Sequence, residues 1–114
     1  MFPATNGIIP LEAQYFYRRA LFHSSEGEKE EAVNCLKKAV LIAPRFCKAI
    51  NEMGNCLAEL GRYDEAVRKF EQVIRIDPGH EEARFKRDLL LSRTRYSDSY
   101  RVVPAQGKTP MAAW

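Results

Sequence analysis

The chain has 114 residues, 46% of them hydrophobic and 29% charged, with a formal net charge of +3, which allows about one domain with a core of its own. The longest purely apolar run, Ala39 to Ala43, is far short of the roughly 20 residues that cross a bilayer, and the start, Met1-Phe2-Pro3-Ala4-Thr5-Asn6, lacks the basic patch and apolar run of a secretory signal. Cys35, Cys47 and Cys56 are an odd count without CxxC spacing, which fits reduced thiols in a cytoplasmic protein better than a disulfide framework.

Residues 1–10 contain Pro3, Gly7 and Pro10 and read as an extended N-terminal segment, with Pro10 placed near the first turn of a helix. A helix pair is expected over 13–46, broken at Gly27 and ended at Pro44. In the next stretch Ile50, Met53, Gly54 and Leu57 fall on one helix face, and Gly61 stops it. A second helix should begin near Tyr63. Asp64 and Glu65 lie in its first turn, where the helix dipole favours acids, and Ala66, Phe70, Val73 and Ile74 form its apolar stripe. Asp64 with Arg68, Glu65 with Lys69 and Glu71 with Arg75 are spaced as ion pairs on a solvated outer face. Pro78 forbids continuation. A third helix should run from Glu81 to Tyr96; its Arg84, Arg87, Asp88 and Leu91 would face any following helix, and three of the four are charged, as on a capping helix. Residues 97–114, with Pro104, Gly107 and Pro110, read as a mobile tail, although Val102, Val103 and Trp114 leave room for docking.

A period of 34 residues runs through these elements. Gly27, Ala32 and Pro44 recur as Gly61, Ala66 and Pro78, and Leu36 and Val40 as Phe70 and Ile74. Such a period marks stacked helical repeats. Gly54 and Ala66 are small enough to meet where two helices cross at close range. The run Ile50-x2-Met53-Gly54-x2-Leu57, Ala66-x3-Phe70-x2-Val73-x4-Pro78 resembles the tetratricopeptide repeat, whose pattern is W-x2-L-G-x2-Y, then A-x3-F-x2-A-x4-P. Residues 47–80 match strongly. Residues 13–46 keep Phe16, Ala20, Ala32, Leu36, Ala39 and Pro44 but carry Arg19 and His23 where the family has Leu and an aromatic. The resemblance implies an all-α protein, an α-solenoid of two helix-turn-helix repeats and a capping helix at 81–96, five helices in a right-handed superhelical stack.

Catalytic and metal-binding constellations are not found. Gln106-Gly107-Lys108-Thr109 ends like a phosphate loop but has Val102 where a glycine is needed and no preceding strand. His23 and His80 lack zinc-ligand spacing; His23 is expected to replace a core aromatic and His80 to sit in an inter-repeat turn. Glu26, Glu28, Glu30 and Glu31 run into a helix rather than a calcium loop, and suit a helix N-terminus. Neither an enzyme nor a cofactor is expected.

For this family the concave face is the usual peptide groove. By register it would comprise Gln14, Tyr17, Leu21 and Ser24 from the first helix, Lys48, Asn51, Asn55 and Glu59 from the third, and Glu82, Phe85, Leu89 and Arg93 from the cap. Tyr17, Leu21, Phe85 and Leu89 would anchor apolar groups, and Asn51 and Asn55 would bond a peptide backbone. The family's carboxylate clamp for acidic chaperone C-termini is matched only at Asn55, since Tyr17, Leu21, Phe85 and Leu89 stand at the other positions. The expected partner is therefore another protein, offering a peptide segment or amphipathic helix. No small-molecule substrate or membrane is expected.

An RNA-binding helical repeat using the basic cap and tail is the weaker alternative. Residues 1–44 carry five bases and five acids, 45–80 six and six, and 81–114 seven and four, so the excess of three lies in the cap and tail. Arg84, Arg87, Arg95 and Arg101 with Tyr96 and Tyr100 could contact phosphates and bases, but the footprint is small and Glu81, Glu82 and Asp88 dilute it. A homodimer covering the exposed edge of the first helix, or the segment with Trp114, is a further alternative.

Overall fold

The computed structural model describes residues 8–102, and all its regular structure is helical: α1 (Leu11–Ser25), α2 (Lys29–Ile42), α3 (Cys47–Glu59), α4 (Tyr63–Ile76) and α5 (Glu81–Val102). Each helix packs on its chain neighbours, α1 on α2, α2 on α3, α3 on α4 and α4 on α5. Helix boundaries follow from local chemistry. Pro10 precedes α1, and its carbonyl accepts the Gln14 amide at 3.1 Å. Both intra-repeat turns pass through a glycine in the left-handed region, Gly27 at φ 82° and Gly61 at φ 84°, a conformation that a Cβ disfavours. His80 accepts the Ala83 amide on Nδ1 at 3.1 Å, which caps α5.

The core is one continuous column. It runs from Ala13 and Ala20 through Ala32, Val33, Leu36 and Ala39, then Ala49, Ile50, Met53 and Leu57, to Ala66, Phe70, Val73, Ala83 and Leu90. Gly54 is required by packing. A Cβ built there would lie 2.8 Å from the Phe70 ring, so the aromatic ring occupies the space a side chain would take. The side chain nearest Gly54 is that of Phe70, one turn after Ala66, which is itself buried.

Three expectations are corrected here. The fifth helix runs six residues past Tyr96, to Val102, because 97–102 contain neither Gly nor Pro; the first breaker is Pro104, which also disfavours helix at Val103. The rest of the expected tail, with Gln106–Thr109 and Trp114, and most of the N-terminal segment lie outside the described residues. His23 is no core aromatic, since its Nδ1 is 2.7 Å from a Glu28 carboxylate oxygen across the α1–α2 turn. The salt bridges near α4 also differ: Glu65 pairs with Arg62 at 2.6 Å rather than with Lys69, and Arg62 also reaches Glu30 in the first repeat at 3.3 Å. Arg62 stands in the turn at the start of α4, closer to Glu65 than the α4 side chains that helical spacing alone would choose.

Candidate binding groove

α1, α3 and α5 are the leading helices of successive units, and side chains from all three meet in a cleft of about 330 Å³ lined by Ser24, Lys29, Glu52, Asn55, Ala58, Glu59, Phe70, Lys86, Leu89 and Leu90. Its apolar part comes from Ala58, Phe70, Leu89 and Leu90. Its polar part is a linked set of contacts. On one side Lys29 donates to the Ser24 hydroxyl at 2.7 Å and to the Ser24 carbonyl at 3.1 Å, and pairs with Glu59 at 2.7 Å. On the other, Lys86 donates to Asn55 Oδ1 at 2.7 Å and pairs with Glu82 at 2.9 Å. Asn51 donates from Nδ2 to the same Glu82 at 3.3 Å, so α3 and α5 are tied together.

The electrostatics follow from these contacts. Glu59, as acceptor, raises the Lys29 ammonium pKa. Lys86, then Asn51, lower the Glu82 carboxyl pKa. Burial pushes the Cys56 thiol up, against the opposing effect of its contact with the Ser24 hydroxyl. The thiol therefore stays protonated and unreactive at neutral pH. Among the described residues no group of His, Cys, Asp and Glu is placed to hold a metal ion, and no described helix is long and apolar enough to cross a membrane.

Of the residues expected by register, Ser24, Asn55, Glu59 and Leu89 line the cleft. The others have different surroundings. Gln14 donates to the Ile9 carbonyl at 2.7 Å and braces the start of α1. Tyr17 packs on Phe46, with ring centroids 5.2 Å apart, so it is held against the residue that leads into α3. Asn51 is buried, and its Oδ1 has no hydrogen-bond partner; it is not a free donor to a peptide. Arg93 lies over the Tyr63 ring at 5.1 Å, directed at α4. Leu21, Lys48 and Phe85 are exposed outside the cleft lining. The register omitted Glu52 and Lys86, which are themselves 34 residues apart and so hold one position of the repeat. That spacing was the available signal. Lys29 belongs to α2 and had none. The arginines considered for phosphate contact are occupied as far as they are described: Arg84 donates to the Pro78 carbonyl at 3.2 Å and Arg87 pairs with Asp88 at 2.9 Å. The side chains of Arg95, Tyr96, Tyr100 and Arg101 lie outside the described residues.

Comparison with known proteins matches residues 13–46 and 47–80 separately to tetratricopeptide repeat models. The small glutamine-rich tetratricopeptide repeat-containing protein 2 of Mycosarcoma maydis is 34% identical over 90 residues, which are 79% of this chain and 25% of that protein. This chain therefore spans about a quarter of the relative's length. Among solved structures, the second TPR domain of human RPAP3, in complex with the HSP70 peptide SGPTIEEVD, is 26% identical with a TM-score of 0.66, covering 69% of this chain and 66% of its own. MamA from Desulfovibrio magneticus RS-1 is 24% identical with a TM-score of 0.73, covering 82% of this chain and 51% of its own; that likeness shows the fold alone.

Proposed function

The chain belongs to the tetratricopeptide repeat family, whose members are protein-interaction modules, and we propose that it holds an amphipathic segment of a partner protein in the α1–α3–α5 cleft, without chemical change to the partner. The observation that carries this reading is the cleft's make-up: apolar lining at Ala58, Phe70, Leu89 and Leu90, with both of its lysines already paired, Lys29 with Glu59 of the lining and Lys86 with Glu82 beside it. A terminal carboxylate would have to compete with Glu59 and Glu82 for Lys29 and Lys86, whereas an apolar side chain meets Leu89 directly. Asn55 donates from Nδ2 to Glu52 at 3.3 Å, and the partner's backbone would exchange this bond for its own, which sets register. The complex of the RPAP3 domain with the HSP70 peptide SGPTIEEVD supports a peptide ligand; the groove here favours a less acidic one.

The test is capture of partners from a source-cell lysate on the parent chain and on an Asn55→Ala, Leu89→Glu double variant. Tyr17 is left intact because it packs on Phe46 at the start of α3. A protein retained by the parent and lost by the variant supports the groove; a protein retained equally by both places the contact elsewhere. The peptide SGPTIEEVD should bind at least tenfold more weakly to this chain than to the RPAP3 domain. Equal affinity would sink the distinction drawn from the paired lysines.

A further inference from the structure

The 34-residue register also compares the flanks of the leading helices. Ala49 and Cys56 on α3, and Ala83 and Leu90 on α5, are at most 8% exposed. α5 packs on α4, so the face that carries Ala83 and Leu90 is the one a leading helix turns to the helix before it. The same two positions on α1 are Tyr15 and Phe22, which are 55% and 61% exposed. Leu11, one turn before Tyr15, and Ile8, just ahead of the helix, are also exposed. Among the described residues no helix covers this row. It is not shaped for another unit of the array, because inside the array the first of the two positions is alanine, which lets helices approach to about 8–10 Å, and Tyr15 is too large for that.

We propose that this α1 face is a self-association surface on which a second copy of the chain packs its own α1 antiparallel. Three observations select that occupant. The opposite end of the array is charged where it would receive a helix, with Arg84 and Asp88 exposed, so a head-to-tail stack would have to strip water from Arg84 and from the Arg87–Asp88 pair, which favours a closed two-fold contact. The flank of the row is self-complementary: Glu12 and Arg19 lie on the same side of it, and neither takes part in the described salt bridges. A two-fold pairing centred beside Tyr15 sets Glu12 of one copy opposite Arg19 of the other, and Phe22 over the segment at Ile8. Arg19 already rests against the Tyr15 ring, 5.8 Å from its centroid, which holds its guanidinium at the rim of the row. Finally, four exposed side chains offer on the order of 100 Å² each, roughly half of one side of a standard interface, so the dimer is reversible. This surface lies apart from the cleft residues, and its failure would leave the groove reading standing.

Sedimentation equilibrium of the full chain, from micromolar to millimolar concentration, tests the proposal. The parent should show a monomer–dimer equilibrium that weakens at least tenfold in Phe22→Glu, with the helical circular dichroism of both chains alike. Glu12→Arg and Arg19→Glu should each weaken it, and the two together should restore it. A parent that is monomeric throughout overturns the proposal and leaves the row to a helix of another protein. A dimer that survives Phe22→Glu, or a charge swap that fails to restore what the single changes remove, overturns the antiparallel α1 contact.

Discussion

The two repeats solve one packing problem with different side chains. At the helix crossing the first repeat has Ala20 with Leu36, and the second, 34 positions on, has Gly54 with Phe70; all four are buried. A methyl group is removed from one helix where a ring is added to the other, and the turns beside them keep the same backbone, with φ of 82° at Gly27 and 84° at Gly61. The repeat is therefore a constraint on summed volume at a crossing rather than on single residues. Position in the array changes the outer flank as well: α3 has neighbours on both sides and carries Ala49 and Cys56, whereas α1 carries Tyr15 and Phe22 at the same places.

The largest break in this comparison would come at the crossing of the second repeat. Gly54→Leu must displace the Phe70 ring and should abolish cooperative melting of that repeat; an unchanged melting curve would refute the assigned contact. Phe70→Ala should cost about 3–5 kcal/mol by emptying the same space, measured by urea unfolding. The sharper test is Gly54→Ala, expected to cost about 1–3 kcal/mol alone and less when Phe70→Leu is added, because the double change recreates the first repeat's pair. Additive losses would show that the two positions are not coupled. At the turns, Gly27→Ala and Gly61→Ala should lose equal amounts, about 1–2 kcal/mol each, since a Cβ at either meets nothing within 4 Å and only backbone conformation is affected.

The smallest effect concerns pH. Glu82 has its pKa lowered in the folded chain, chiefly by Lys86 and then by Asn51. Its tie between α3 and α5 is therefore present above the ordinary carboxylate range and is lost as pH falls through the lowered value. Because the pair is half-exposed and screened, Glu82→Gln should cost little near neutrality. The difference from the parent should vanish in acid, and a difference that grew on acidification would have the wrong sign.

Much of the fold was legible because glycine and proline act locally. Gly27, Gly61, Pro44 and Pro78 mark the ends of four helices, and Tyr63 begins α4 as the acids after it suggest. The expected end of the fifth helix falls short because Pro104, Gly107 and Pro110 mark 97–114 together as tail, although nothing in 97–102 forbids a helix. The groove was only partly legible. Helical register says which way a residue points on its own helix, and by that measure Asn51 faces a partner; whether it is free depends on α5, whose Glu82 takes its amide. Lys29 reaches the cleft from a trailing helix, so no register on the leading helices includes it. The ion pair Arg62–Glu65 was missed for a similar reason, since the cation lies in a turn and not on the helix.

The sequential packing of α1 to α5 has a consequence for how the molecule opens. Each helix is held mainly by the one before and the one after it, and the chain extends 60 Å along its longest axis, so no single centre links all five. Amide exchange should accordingly be slowest in α3 and grade outward, with α1 and α5 able to detach as separate small units while the middle persists. A partner that binds an end can then act by trapping a locally open form, at a cost set by one helix-to-helix contact rather than by the stability of the whole.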